Sequence, residues 1–148
     1  MCHGGRPFFM CALLELNDTQ IPPGKAVAVW LEERRAAWLQ WAGFARNESL
    51  DRWLAMGAQL VDVPARRFAQ RSTRTGKLTW VEVPLGMVVR GLVDSNGKQS
   101  LVKVVTRSPT PEELIEFEHP RMPLIEFPLW SAEPIPIAAE PNPQPELF

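Results

Sequence analysis

The sequence predicts an α+β fold made mostly of antiparallel strands, with a few short helices and an extended C-terminal tail. Three observations predict it. Short apolar or alternating runs bounded by Pro, Gly, Asn and Asp recur along the chain, as in half-buried strands. Only residues 49–59 and the segment after Ser108 carry clear helix-start signals. Six of the last 21 residues are proline, and their isolated apolar neighbours are too few to build a core.

Taken in order, residues 7–16 are apolar and read as a buried strand or a short helix. A turn follows at 17–24, where Pro22-Pro23-Gly24 combines fixed φ with tolerance of positive φ. Residues 26–42 admit two readings. Val27, Val29 and Leu31 alternate as in a strand, with Glu32-Glu33-Arg34-Arg35 as a hairpin tip before Ala37–Trp41; Trp30, Arg34, Trp38 and Trp41 also share one face of a helix. Residues 49–59 read as a helix capped by Asn47 or Ser49, with Leu50, Trp53 and Leu54 on one face. Leu60–Val63 is a strand ended by Pro64. Further strands are expected at 78–83, 87–93 and 101–106, the last two joined through Asn96-Gly97, a tight-hairpin dipeptide. Ser108-Pro109-Thr110-Pro111-Glu112-Glu113 opens a short helix, with proline and acids suited to its first turn. Residues 124–127 add a last strand. The domain therefore spans 1–127 and the tail 128–148.

With 148 residues, 45% apolar and 22% charged, the chain can bury one core. No run approaches the roughly 20 apolar residues of a membrane span. The opening Met1–Pro7 lacks a signal-peptide layout, so a cytoplasmic protein with no membrane partner is expected. Cys2, Cys11, His3 and His119 lack zinc-type spacing and no glycine-rich phosphate loop occurs, so no metal or cofactor is expected. Charge is unevenly placed beneath a net of −1. Residues 46–107 hold eleven basic against five acidic side chains, whereas 108–148 hold eight glutamates against Arg121 alone. A basic middle suits a polyanion groove, or else pairs with the acidic segment.

Chemistry concentrates in Glu118-His119-Pro120-Arg121-Met122-Pro123-Leu124-Ile125. An imidazole can carry protons near neutrality, and a guanidinium beside it matches a phosphate. His-Pro-Arg-Met-Pro-Leu-Ile resembles the His-Asp/Pro-Arg-Met-Pro-Val-Ile-Leu motif of the SRAP family, the abasic-site-processing proteins also called SOS-response-associated peptidases. Other segments agree in order across about residues 22–127. Pro22–Val27 is similar to the family's Ala-Pro-Gly-x-x-Val turn, and Gln40-Trp41-Ala42-Gly43 to its Arg-Trp-Gly-Leu/Met. Arg46-Asn47-Glu48-Ser49 with Trp53 resembles an Arg-Asn-Thr-Ser…Trp block. Phe44–Ser49 aligns alternatively as Asn-Ala-Arg-x-Glu-Ser/Thr, but the spacing to Trp53 favours Asn47. Residues 60–70 are similar to Cys-Leu-Val-Pro-Val-x-x-Phe-Ala-Glu. Gly91-Leu92-Val93 and 104–110 match the strands ahead of the histidine.

The resemblance implies a compact β-barrel-like SRAP domain, favours the hairpin at 26–42, and implies a monomer that binds single-stranded DNA. It also implies covalent capture of abasic sites. Cys2, exposed as the N-terminal residue after methionine loss, would present an amine and a thiol that close on the ring-opened sugar aldehyde as a thiazolidine. Asn47 would orient the aldehyde and His119 would shuttle the proton of ring opening. Arg46 and Arg121 would take phosphates, with Arg66 and Arg67 extending the basic face. Trp41 and Trp53 would stack on bases, although core packing is the first expectation for tryptophan. Gln70 stands where the family has a catalytic glutamate, and an amide cannot exchange a proton. Capture without release, substitution by Glu82, or a catalytically idle DNA- or clamp-binding adaptor would follow. Cys11, after Met10, is a second possible terminal cysteine. The family's older name implies a peptidase, with Cys2 attacking and His119 as base. Finally, Gln144-Pro145-Glu146-Leu147-Phe148 resembles the bacterial sliding-clamp pentapeptide, with Gln144, Leu147 and Phe148 as its anchors.

Overall fold

The computed structural model describes residues 12–94 and 100–130. In chain order the strands are β1 (Ala12–Leu16), β2 (Thr19–Ile21), β3 (Ala26–Leu31), β4 (Arg35–Arg46), β5 (Gln59–Val63), β6 (Arg67–Arg71), β7 (Leu78–Glu82), β8 (Val88–Asp94), β9 (Leu101–Arg107), β10 (Met122–Pro123) and β11 (Ile125–Glu126). Two short helices, α1 (Leu50–Ala55) and α2 (Pro111–Phe117), sit between them. The class is α+β, with strands dominant.

β9 pairs with both β4 and β8, so β4, β3, β5, β8 and β9 close into a five-stranded barrel. Closure removes the free edges that an open sheet must protect. Every ladder is antiparallel except β4–β9. A second sheet, in the order β2-β1-β6-β7, packs on the barrel through one shared core. Leu14, Ile21 and Phe68 from that sheet meet Val29, Trp41, Val61 and Val89 from the barrel.

The segment 26–42 is a hairpin. Leu31 pairs with Arg35, and Glu33 and Arg34 turn the tip with φ of 65° and 59°. β4 is long because it serves two partners, β3 along Arg35–Gln40 and β9 beyond it, with a register shift between Trp41 and Phe44. Gly43, at φ 113°, lies in that irregularity. The expected helix at 49–59 is shorter: a 3-10 turn at Asn47–Ser49 leads into α1, and Gly57 at φ 99° ends it. Ser49 holds the N-cap position without a side-chain cap bond. α2 has the expected start, with Thr110 and Glu113 forming a reciprocal capping box. β6 carries no alternation that marks it as a strand, because Phe68, Ala69 and Gln70 are all buried. Residues 7–11 and the Asn96-Gly97 tip lie outside the described residues.

Gly91 sits where the barrel wall is tightest. A Cβ there would lie 2.9 Å from Val61 Cγ2, 3.0 Å from Val63 Cγ2 and 3.2 Å from Val102 Cγ2. Those methyls belong to packed core strands and have little room to move. Gly91→Ala is therefore expected to destabilise the domain by about 1–3 kcal/mol, read as a lowered urea midpoint. An unchanged midpoint would show that the wall yields.

The chain stays attached past residue 127. Buried Asp62, on β5, accepts the Leu129 and Trp130 backbone N–H groups at 2.9 and 2.7 Å. Trp130 Nε1 donates to the Leu60 carbonyl at 2.9 Å. Asp62 also pairs with Arg90, which is buried and donates further to Glu126 and to the Val61 and Phe127 carbonyls. No helix among the described residues is long and apolar enough to cross a membrane.

Candidate functional site

One cavity, of about 320 Å³, opens between the barrel and the second sheet. It is lined by Ala12 on β1, Phe44 and Arg46 on β4, Gln70 on β6, Thr106 on β9, and His119 and Arg121 on the loop after α2. Strand alternation decides who enters. Phe44 and Arg46 are two apart and share a face, while Ala45 between them turns into a second apolar cluster with Leu92 and Val105. Phe44 forms the apolar wall, edge-on to Trp41 at 5.8 Å and to Phe68 at 6.4 Å between ring centroids.

The histidine loop is fastened at both ends. Glu118 ends α2 in the left-handed region (φ 53°), which turns the chain towards His119. The tip after β6 grips it: Ser72 Oγ and Arg74 Nε donate to the Glu118 carboxylate at 2.9 and 2.7 Å. The Thr73 backbone N–H donates to the Glu118 carbonyl at 2.8 Å. Arg74 and Ser72 hold the Glu118 carboxyl below its usual range, the bond from Arg74 being the larger cause. At the other end, Gln70 Nε2 donates to the Arg121 carbonyl at 2.9 Å and contacts Met122 Sδ at 3.5 Å. The Arg121 backbone N–H donates to His119 Nδ1 at 3.1 Å. The same Nδ1 lies 3.0 Å from the Arg121 carbonyl oxygen, which accepts from the ring in its Nδ1–H tautomer.

The Arg121 guanidinium is fully engaged. Its Nε and Nη2 donate to Thr106 Oγ1 and O at 3.1 and 2.8 Å. Its outer edge meets Glu48 two-pronged, Nη2 to Oε1 at 2.8 Å and Nη1 to Oε2 at 3.1 Å. That bond, followed by smaller contributions, pulls the Glu48 carboxyl down from 4.5 to about 2. Arg107 and Glu113 form a similar fork nearby at 2.7 Å. Arg46 carries no side-chain hydrogen bond or ion pair among the described residues.

The structure thus gathers four of the residues named from sequence: Arg46, Gln70, His119 and Arg121. It does not bring the other described ones to them. Asn47 is exposed in the 3-10 turn and does not line the cavity. Phe44 and Arg46 line it together instead, because β4 runs extended through Arg46 and presents residues 44 and 46 on one face. Gln70 serves as an amide donor that positions the loop. Trp41 cannot stack on a base: it is fully buried in the core, with Nε1 donating to the Gly43 carbonyl at 3.0 Å. Trp53 is half-buried against the second cluster, with Lys103 Nζ 5.6 Å from its ring centroid. Arg67 is committed to Glu15 at 2.6 Å and lies over Trp80. Arg66 lines a separate concavity with Trp30, Pro64 and Leu85. Glu82, considered as a substitute acid, is exposed on β7 at 3.9 Å from Arg67 and does not line the cavity. Cys2, Cys11, Gln144, Leu147 and Phe148 lie outside the described residues.

The sequence favours Asn47 over Phe44 and gives no role to Thr106, Glu48 or the Ser72–Arg74 grip. Alternation along β4, which puts residues 44 and 46 on one face, is the usable signal for Phe44. The others depend on contacts between segments remote in sequence, which no local pattern carries. Among the described residues no group of His, Cys, Asp and Glu is placed to hold a metal ion. Comparison of the chain with family models, curated proteins and solved structures returns no match.

Proposed function

We propose that this chain is an SRAP-type DNA-damage protein that binds single-stranded DNA and captures abasic sites covalently. The observation that carries this reading is the cavity itself. Arg46, Gln70, His119 and Arg121 come from three separate stretches of chain, were singled out by their motifs, and line one space. An N-terminal cysteine supplies the nucleophiles: its amine condenses with the sugar aldehyde, releasing water, and its thiol adds to the resulting C=N bond to close a thiazolidine. His119 moves the proton of sugar-ring opening, and Arg46 meets the flanking phosphate. Either Cys2 or Cys11 fits this role once terminal, and Cys11 directly precedes the cavity-lining Ala12 in sequence.

A second reading, the catalytically idle adaptor, draws on Gln70. Its Nε2 is committed to the Arg121 carbonyl, so this position holds the loop and exchanges no proton. In that reading the domain binds DNA, and the tail residues Gln144, Leu147 and Phe148 engage a sliding clamp.

The test is a denaturing gel of labelled single-stranded DNA carrying one abasic site, with wild type, Cys2→Ala and Cys11→Ala in parallel. The expected result is a slow-migrating band absent with undamaged DNA and lost in one cysteine variant, which identifies the nucleophile. No such band from any form, with DNA binding intact, overturns covalent capture and leaves the adaptor.

A further inference from the structure

We propose that Glu48 is a built-in stand-in for a nucleic-acid phosphate: its carboxylate fills the outer fork of Arg121 at the cavity, and a phosphodiester binds there by taking its place. The inference rests on the DNA-binding reading above and adds to it the residue that sets affinity.

Carboxylate and phosphate offer the same pair of oxygens to a guanidinium edge, so what accepts one accepts the other. Arg121 is framed for such an exchange. Its inner side is fixed to the β9 backbone and hydroxyl, through Thr106 O at 2.8 Å and Thr106 Oγ1 at 3.1 Å. Those bonds do not involve Glu48, and they hold the fork in place when Glu48 leaves. The two partners are unequally buried, since the Arg121 side chain is 15% exposed and that of Glu48 49%. The arginine is part of the wall, and the glutamate reaches it from the solvent side, on the 3-10 turn between β4 and α1. When the half-exposed Glu48 carboxylate leaves, water takes over its contacts, while the phosphate takes over its two-pronged contact with the fork.

The surroundings favour an anion once Glu48 has moved. Ser108 Oγ lies 3.3 Å from Glu48 Oε2 and 3.3 Å from Arg121 Nη1, where it can donate equally to a phosphate oxygen. Arg46 lines the same cavity, and its charge is uncompensated among the described residues. With Glu48 in place the Arg121 charge is matched by one carboxylate. With it displaced, both cations face the incoming phosphate.

Glu48→Gln keeps the side-chain volume and a Ser108 acceptor but removes the competing charge. Fluorescence anisotropy with undamaged oligothymidylate is expected to show about tenfold tighter binding by Glu48→Gln than by wild type, an effect on the scale of one charge-assisted bond. In an Arg121→Gln background the same substitution is expected to change nothing. Inorganic phosphate should raise the melting temperature of Glu48→Gln more than that of wild type, a readout independent of DNA. Equal or weaker binding by Glu48→Gln, with its unfolding midpoint preserved, overturns the proposal and makes Glu48 a prop for Arg121. An equal gain in the Arg121→Gln background also overturns it. The abasic-site gel separates the two ideas. Tighter anion binding without any cross-link removes covalent capture and keeps the role of Glu48, whereas cross-linking with unchanged affinity does the reverse.

Discussion

Asp62→Ala is expected to lower the unfolding free energy by about 3–5 kcal/mol, the range for removing one partner of a buried ion pair. Asp62 is fully buried and its carboxylate does three things at once. It neutralises Arg90, itself 1% exposed, and it accepts the backbone N–H groups of Leu129 and Trp130. Alanine leaves those donors without an acceptor and leaves Arg90 compensated only by Glu126 and two carbonyls. Asp62→Asn keeps an acceptor oxygen and the shape, and should cost about half as much. Urea unfolding followed by tryptophan fluorescence checks both, with the midpoint of Asp62→Ala shifted by roughly 2 M at an ordinary m-value. A loss below about 1 kcal/mol, within the range of an exposed pair, would show that Arg90 is held well enough without it. The variant should also release Trp130, seen as a red shift of its emission.

Gln70→Glu is expected to destabilise the domain by about 1–3 kcal/mol at neutral pH, the penalty for a buried polar group set against a like partner. The Arg121 carbonyl can only accept, so the Gln70 amide nitrogen must face it, as it does at 2.9 Å. An ionised glutamate would set two acceptors against each other in a site where Gln70 is only 3% exposed. A protonated glutamate could donate to the same carbonyl. The carboxyl introduced by Gln70→Glu therefore has a folded-state pKa raised above its unfolded value of about 4.3. Its contribution is fully present below that unfolded value and is lost as pH rises through the raised one. The penalty should vanish near pH 4 and reach its maximum above neutrality, a profile that wild type lacks. A pH-independent difference between the two proteins would mean that the amide does not fasten the loop. The same variant places a group able to exchange a proton in the cavity that His119 lines. Under the proposed capture of abasic sites, this variant is expected to release the cross-link faster than wild type.

Several elements were legible in the sequence because their signals lie within a few residues. The capping box of α2 needs only Thr110 and Glu113, and the β5 strand is ended by Pro64 directly after Val63. The hairpin at 26–42 was ambiguous for a physical reason. Four consecutive residues of β3, Val27–Trp30, are buried, because both faces of the strand are covered, so period-two alternation is muted and helical spacing of the tryptophans competes with it. The β6 strand was hidden in the same way.

Of the candidate site, the sequence by itself determined the chemical identities: an imidazole at 119, guanidinium groups at 46 and 121, an amide at 70. It also determined the turns and caps that depend on near neighbours. The tertiary structure alone decided which of these meet. Arg121 finds Glu48 73 residues away and Gln70 finds Arg121 across 51, distances over which no local propensity acts. It also decided that Phe44, and not Asn47, lines the cavity, because the face a residue shows depends on where β4 stops being extended. Barrel closure settles these matters. Once β9 pairs with both β4 and β8, the register of each barrel strand is set by its neighbours, and one residue of slip would turn Phe44, Arg46 or Thr106 away from the cavity.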